Sequence, residues 1–307
     1  MSNRYKGAVI SATPPTTTGG ESGTASGAWT LEQQMQAQAA GLWPSPPPPN
    51  YIEDVFSTYL YTGNGSTQTI TNGINLSTKG GLVWIKARTD TSGGATAHAL
   101  VDSARGTSKW LSSDATSAEA TNANLVTGFT TSGFSVGNAP YWGNENTIPY
   151  ASWTFREQSK FFDIVTYSGN SIAGRAIPHN LGSAPGCVII KVLNTSGESW
   201  VVWHRSGTQD NSTGAYLNGT NAYSNKGQFL WGPSGGTPDM NASTFSVGDN
   251  TNNNQTGYTY VAYLFAHNAG GFGLTGTDNV ISCGSYTGSN SSDVTVNLGY
   301  EPQWVLI

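Results

Sequence analysis

The chain repeats itself, and the repeat constrains its fold more than any other feature. Three segments read alike: YLYTGNGSTQTITNGINLSTKGGLVWIK from Tyr59, IVTYSGNSIAGRAIPHNLGSAPGCVIIK from Ile164, and SCGSYTGSNSSDVTVNLGYEPQWVLI from Ser282. Each has Tyr, Ser or Thr, and Gly, then a polar turn, a short alternating run, a second turn and an apolar run. The first two continue into Lys86 and Lys191, whereas the third stops at Ile307. A domain cannot bury a core with its first two or three strands, so the natural polypeptide is expected to continue, or Ile307 to be only its last ordered residue. A tandem array of one unit predicts an elongated, modular protein rather than a compact enzyme.

Landmarks further along set the period. FSVG at Phe134 recurs at Phe245, an offset of 111, and YASWTF at Tyr150 recurs as YVAYLF at Tyr260, an offset of 110. Lys86 and Lys191 differ by 105, and Trp110 and Tyr216 by 106. Two complete modules follow, over residues 55–161 and 162–267, then a Gly-rich linker over 268–279 and the start of a third module over 280–307. The first junction, REQSKF, is short and predicts closely stacked modules; the second bends more easily. Within a module the runs (GLVWIKAR, CVIIKVL, SWVVWHR, GFSVG, YTYVAYLF) are short, read as alternating, and bounded by Gly, Asn, Ser and Pro. About eight such runs per module predict a mainly β fold: tandem β-sandwiches of jelly-roll type. After Tyr51 no stretch sustains a helical period, and TSAEATNANLV reads as a loop.

Residues 1–50 lie outside the repeat. The stretch over 1–28 has almost no apolar side chain and is expected to be an extended arm. Over 29–50, Thr30 followed by Gln33 matches a capping box, predicting a helix over 31–40. Leu31, Met35 and Ala39 fall on one face, with Leu42 just past the end and Gln38 as the polar flaw in the stripe. Gly41 and the prolines Pro44 and Pro46 to Pro49 stop the helix. So short a helix is marginal alone in water, so its stripe needs a partner.

Charged residues are only 10% of the chain, against the roughly 25% usual in soluble domains. Aromatics at 11% exclude a disordered chain, and a net charge of −5 with no basic run argues against nucleic acid as a partner. The first residues lack the apolar core of a signal peptide. No apolar run reaches the roughly 20 residues of a membrane span. A surface of extracellular type without an export signal points to a virion part assembled in the host cytoplasm. Cys187 and Cys283 read as small buried hydrophobes rather than a disulfide.

With these residues in view, NRYKGAVISATPPTT…GAWTLEQQMQAQAAGLWP resembles the virion-attachment segment of bacteriophage tail and neck fibre proteins, notably those of marine and cyanobacterial phages. The modules, with YTGNG, HNLGSAPGCVIIK and YASWTF, resemble the repeated β domains of the same proteins. The resemblance implies a homotrimer whose N-terminal arm, with Tyr5 and Trp29, contacts a tail, neck or baseplate protein. It implies that distal regions meet a host surface glycan or protein. The stripe of Leu31, Met35 and Ala39, with Leu42 beyond the helix end, is expected to pack on the same helix of neighbouring chains, the alternative being another protein of a larger particle.

Chemistry is sparse. Glycoside hydrolysis needs two facing carboxyls, and of the acids Asp102, Asp114, Glu119, Glu145, Glu157, Asp163, Glu198, Asp210, Asp239 and Asp249 most sit singly in turns, with no pair repeated in both modules. None of His98, His179, His204 and His267 has a second His, or a Cys, at ligand spacing, and the oxygen-rich loop GDNTNNNQTG offers one carboxylate to a cation. No catalytic residue, metal or cofactor is expected. The glycan-contact candidates are Tyr141 and Trp142, beside Asn138, Asn144 and Glu145, and Trp231. A glycan-binding adhesin or a polysaccharide depolymerase is the alternative to a structural fibre.

Overall fold

The computed structural model describes residues 16–19, 24–44, 49–89, 97–226, 229–233 and 235–307. They fall into two compact units, 1–50 and 51–307.

In the first unit, β1 (Thr16–Thr17) pairs antiparallel with β2 (Ala25–Ser26), so the described part of the arm folds back rather than running out extended. Helix α1 spans Leu31–Ala39. Its capping box is complete: the Gln33 backbone amide donates to the Thr30 hydroxyl, and the Thr30 backbone amide donates to the Gln33 side-chain Oε1. Ala40, expected as the last helical residue, is instead the C-cap, and Gly41 follows at φ +70°, a left-handed conformation that glycine adopts without strain.

The second unit begins with a 3₁₀ turn (Ile52–Asp54) and holds seventeen strands among its described residues. In the first module these are β3 (Phe56–Thr62), β4 (Gln68–Thr71), β5 (Gly81–Ala87), β6 (Ala99–Asp102), β7 (Lys109–Trp110), β8 (Ala120–Thr121), β9 (Val126–Thr130), β10 (Gly133–Val136) and β11 (Pro149–Arg156). In the second they are β12 (Phe162–Ser168), β13 (Arg175–Pro178), β14 (Cys187–Val192), β15 (Val201–His204), β16 (Thr213–Tyr216), β17 (Ser224–Asn225), β18 (Thr244–Val247) and β19 (Thr259–Phe265). The fold is mainly β, antiparallel and of sandwich type.

One module's main sheet runs β3-β11-β5-β6, and the other's runs β12-β19-β14-β15-β16-β17. In both, the last strand of the module lies between its first and third. The registers match row for row. Phe155 faces Phe56 and Leu82, as Phe265 faces Phe162 and Cys187; Tyr150 faces Tyr61 and Ala87, as Tyr260 faces Tyr167 and Val192. The facing sheets are β4-β10-β9 and β13-β18, in which Phe134 sits opposite Ile70 and Phe245 opposite Ile177.

Because side chains alternate across a sheet, each main sheet has two faces to cover. One face packs on the module's own second sheet. In the first module this core holds Ile70, Val83, Ile85, Val101, Phe134 and Tyr150, and in the second Ile177, Val188, Ile190, Phe245, Tyr260 and Leu264. The opposite faces pack on each other. Phe56, Leu82, Trp84, Leu100 and Phe155 meet Phe162, Ile189, Trp200, Tyr263 and Phe265 in one shared cluster. Successive residues of β19 therefore serve different cores: Tyr260, Ala262 and Leu264 the module's own, and Val261, Tyr263 and Phe265 the shared one.

The same turn closes both modules. Asn144 and Asn254 are fully buried. Asn144 accepts from the Asn64 amide at 2.9 Å and donates to the carbonyls of Gly137 and Ser66; Asn254 accepts from the Asn170 amide at 3.1 Å and donates to those of Gly248 and Ile172. A side chain at Gly63 or Gly169 would collide with the carbonyl of Glu145 or Gln255, so the first turn of each module must be glycine for close approach.

Phe155 packs within 5.5 Å of Phe162 and Phe265, centroid to centroid. Phe155→Ala should cost about 3–5 kcal/mol by opening a cavity in a core that relaxes only partly. Because that core is shared, amide protection in β12 and β19 should fall along with that in β3 and β11. Hydrogen exchange across both modules checks this; a loss confined to residues 55–161 would refute the coupling.

Candidate functional site

The described acids do not form an open catalytic pair. Asp102, Glu157 and Asp163 draw together where the modules meet, a proximity invisible in the sequence because Asp102 ends β6, Glu157 follows β11 and Asp163 is the second residue of β12. Asp102 is fully buried in an ion pair with the buried Arg105, at 2.6 Å, and accepts from the Tyr263 hydroxyl at 2.7 Å. Burial opposes the charge on Arg105, but Tyr263, Asp102 and Glu119 hold the guanidinium protonated well above its ordinary value. Arg105 also reaches Glu119 at 3.2 Å, and Lys109 bridges to the same carboxylate at 3.3 Å. Asp163 accepts from the Asn180 amide at 2.6 Å. These carboxylates are committed to folding contacts, and two of them are out of solvent.

Further polar bonds ring the shared core. The Trp200 indole donates to the Ser112 carbonyl at 2.9 Å, and Lys191, fully buried, donates to the carbonyls of Thr116 at 3.3 Å and Glu198 at 2.8 Å. Burial brings the Lys191 ammonium down to about 8. Glu119 donates its amide to Leu193 and Gly197 donates to Thr116, so the loop after β7 lies along the loop after β14. A buried charge left without such partners would be strongly destabilising.

Among the described residues no group of three His, Cys, Asp or Glu is placed to hold a metal ion. The loop GDNTNNNQTG turns its amides inward: Asn250, Asn252, Asn253 and Asn254 are buried, while Asp249 is exposed. Cys187 and Cys283 are both free, and burial pushes both thiols up, Cys283 to about 11.

The glycan-contact candidates separate. Trp231 is fully buried, with its indole donating to the Thr213 carbonyl at 2.8 Å, so the expectation of an exposed ring there is wrong: the loop that carries it folds under β16 and fills the second module's core. Asn144, expected beside a sugar, is the buried turn clamp. Trp142 is half-buried against Trp110, centroids 4.4 Å apart, and Tyr141 is exposed in a left-handed conformation at φ +70°. The second module has Thr251 and Asn252 at the matching positions, so the aromatic group is not repeated.

In the first unit, Leu31, Met35, Ala39 and Leu42 are all exposed, and Leu31, Met35 and Ala39 line one shallow apolar face with Glu32 and Gln36. Ala37 is the buried residue of α1, so the helix rests on the side away from that face. Trp29 is half-buried, edge-on to Trp43 at 5.2 Å, and Tyr5 lies outside the described residues. No helix among the described residues is long and apolar enough to cross a membrane.

Glu157 accepts from the Ser103 hydroxyl at 3.0 Å, and burial, with Asp163 and Asp102 nearby, pushes its carboxyl up to about 7. Unfolded, Glu157 ionises near the ordinary glutamate value, so between there and about 7 the folded state keeps a proton that the unfolded state has released. This group therefore lowers stability as pH rises through that window. Glu157→Gln keeps the acceptor for Ser103 and removes the titration. The difference in Tm, variant minus wild type, should be near zero at pH 4.5 and positive at pH 8. A difference independent of pH would show that Glu157 does not titrate in this way.

No curated protein and no solved structure matches the chain. A family model does, over residues 52–307, nearly the bounds of the second compact unit. The chain belongs to the family described as Domain of unknown function (DUF7483).

Proposed function

We propose that the chain is a structural virion protein, the proximal part of a trimeric phage tail or neck fibre. In this reading it anchors to a tail, neck or baseplate protein through residues 1–28, with Tyr5, and through the adjoining Trp29. It is assembled in the host cytoplasm and carries host recognition on more distal regions. The observation that carries the reading is the exposed stripe of α1. Leu31 and Met35 are 73% and 62% exposed on a capped nine-residue helix that is too short to persist in water by itself. Apolar area left in water costs about 25 cal/mol per Å², which burial against a second and third copy of the helix would recover. The committed carboxylates and the rigid joint between modules also favour a scaffold over a catalyst.

Leu31→Asp with Met35→Asp would place like charges together on the proposed threefold axis. Sedimentation should then report monomer where the parent chain is a trimer. A trimer that survives the double substitution would move the association to other surfaces, and a monomeric parent chain would overturn the reading. Glycan contact is favoured by one observation, the exposed ring of Tyr141 next to the Trp142–Trp110 pair, and it is confined to the first module.

A further inference from the structure

One corner of the module changes sign between the two complete copies. The strand registers set the equivalence. Leu82 faces Asp102 and Phe155, as Cys187 faces His204 and Phe265. One residue further on, the Ser103 amide donates to the Gly81 carbonyl at 3.0 Å, as the Arg205 amide donates to that of Gly186 at 2.9 Å. Glu157 stands two residues past Phe155, and His267 two residues past Phe265. Asp102, Ser103 and Glu157 of the first module are therefore His204, Arg205 and His267 of the second. The same backbone gathers two acids in one copy and three basic side chains in the other.

The exchange leaves the second corner short of acceptors. In the first module the touching pair is complementary, with the Ser103 hydroxyl donating to Glu157 Oε1 at 3.0 Å. In the second module the same two positions again touch, Arg205 Nη1 lying 2.5 Å from His267 Nε2. A neutral imidazole has one N–H and one bare nitrogen. The Cys283 backbone amide donates to His267 Nδ1 at 2.9 Å, so the ring proton sits on Nε2. Two N–H donors thus converge on one spot, and Asn268 Nδ2 lies 3.3 Å from the same Nε2. His204 is held in the same tautomer, because the Ser206 amide donates to its Nδ1 at 3.2 Å and leaves Nε2 as a donor.

Other guanidinium groups of this chain have acceptors. Arg105 has Asp102 and Glu119, and Arg175 has the Ser168 carbonyl. The ion pairs among the described residues all lie in the first module. Burial, then the charge of Arg205 and the nearby His204, hold the His267 imidazole below its ordinary value, as expected where positive groups meet without an anion. The corner is open to solvent: Arg205 is exposed, and His204 and His267 are half-buried.

We propose that His204, Arg205 and His267 form a binding site for an oxyanion, a carboxylate or phosphate group. The oxyanion supplies the acceptor that the corner lacks. It takes one hydrogen bond from the Arg205 fork and one from His267 Nε2–H, with His204 as the second imidazole donor. A ligand with only donors, or a metal ion, has no place at a site whose free groups are all N–H. Hydrogen bonds between charged groups are the strong ones, so a single small anion is enough to organise the corner.

The inference rests on the repeat and the local bonding and not on the fibre reading, so each fails alone. The test follows the histidine ring signals of the full chain by NMR near pH 7. Sodium phosphate in one arm and sodium acetate in the other replace sodium chloride at constant ionic strength. The His267 and His204 signals should move and saturate with at least one of the two, while those of His98 and His179 stay. The His267 pKa should rise by about half a unit or more in the saturated state, because a bound anion favours the charged ring. Arg205→Gln should weaken binding at least about tenfold by removing the charge-assisted donor. His267→Gln places a carbonyl opposite Arg205 and should weaken it as well, with the signals of β14 and β19 unchanged. Saturation by phosphate alone or by acetate alone supports the site and names its oxyanion. A linear response to both salts overturns the proposal, and so does saturation that survives Arg205→Gln or His267→Gln.

Discussion

The closing strand of each module is the constraint on which the rest of this fold depends. β11 and β19 bond the first and third strands at once, and they divide their side chains between two cores. A β-strand covered on one face needs an apolar residue at every second position; one covered on both faces needs them throughout. β19 reads Thr-Tyr-Val-Ala-Tyr-Leu-Phe and is buried at every position after the first. The outward face of such a sheet cannot be left in water, so the module is not self-sufficient. Its neighbour supplies the missing layer, and residues 51–307 form one compact unit rather than beads on a string.

That dependence explains where the few charges go. With so low a charged content, the chain still spends Arg105, Asp102, Glu119 and Lys191 at the edge of the shared core, where Arg105 and Asp102 bond Tyr263, Lys191 bonds the Thr116 carbonyl, and Glu119 pairs with Arg105. Apolar packing alone would allow the two sheets to slide. The Arg105–Tyr263 and Trp200–Ser112 hydrogen bonds set one register, because any slip would leave buried donors unpaired.

Much of the second unit was legible from residues alone: its β class, the repeat landmarks and the glycine turns follow from short apolar runs and Gly, Asn and Ser at fixed offsets. The capping box of α1 was equally plain. The shared core was missed because GLVWIKA and CVIIKV were read as alternating strands, though they are nearly continuous apolar runs, and that continuity is the signal of a sheet buried on both faces. Trp231 was misplaced for a related reason. A Trp flanked by Gly and Pro looks like a loop tip, and nothing local shows that the loop is pinned inward by Asn211, Asn253 and Ser246 bonding to the backbone around it. The cluster of Asp102, Glu157 and Asp163 was unreadable because it forms only when two modules meet.

The junction face also constrains how copies of this module can accumulate. Two sheets meeting face to face would suffice to cover each other, yet Ile281 and Trp304 of the third copy use the same core, beside Phe56, Trp84 and Phe155. Phe56 and Phe162 on the first strands, Leu82 and Cys187 on the third, and Ile281 and Trp304 of the third copy thus converge on one apolar centre. The Gly-rich segment over 268–279 is long enough to bring the third copy back rather than lead it away, and it is itself held there, with Phe272 buried 6.1 Å from Phe161. A module of this kind therefore adds to a cluster through its outer face and closes through its inner one.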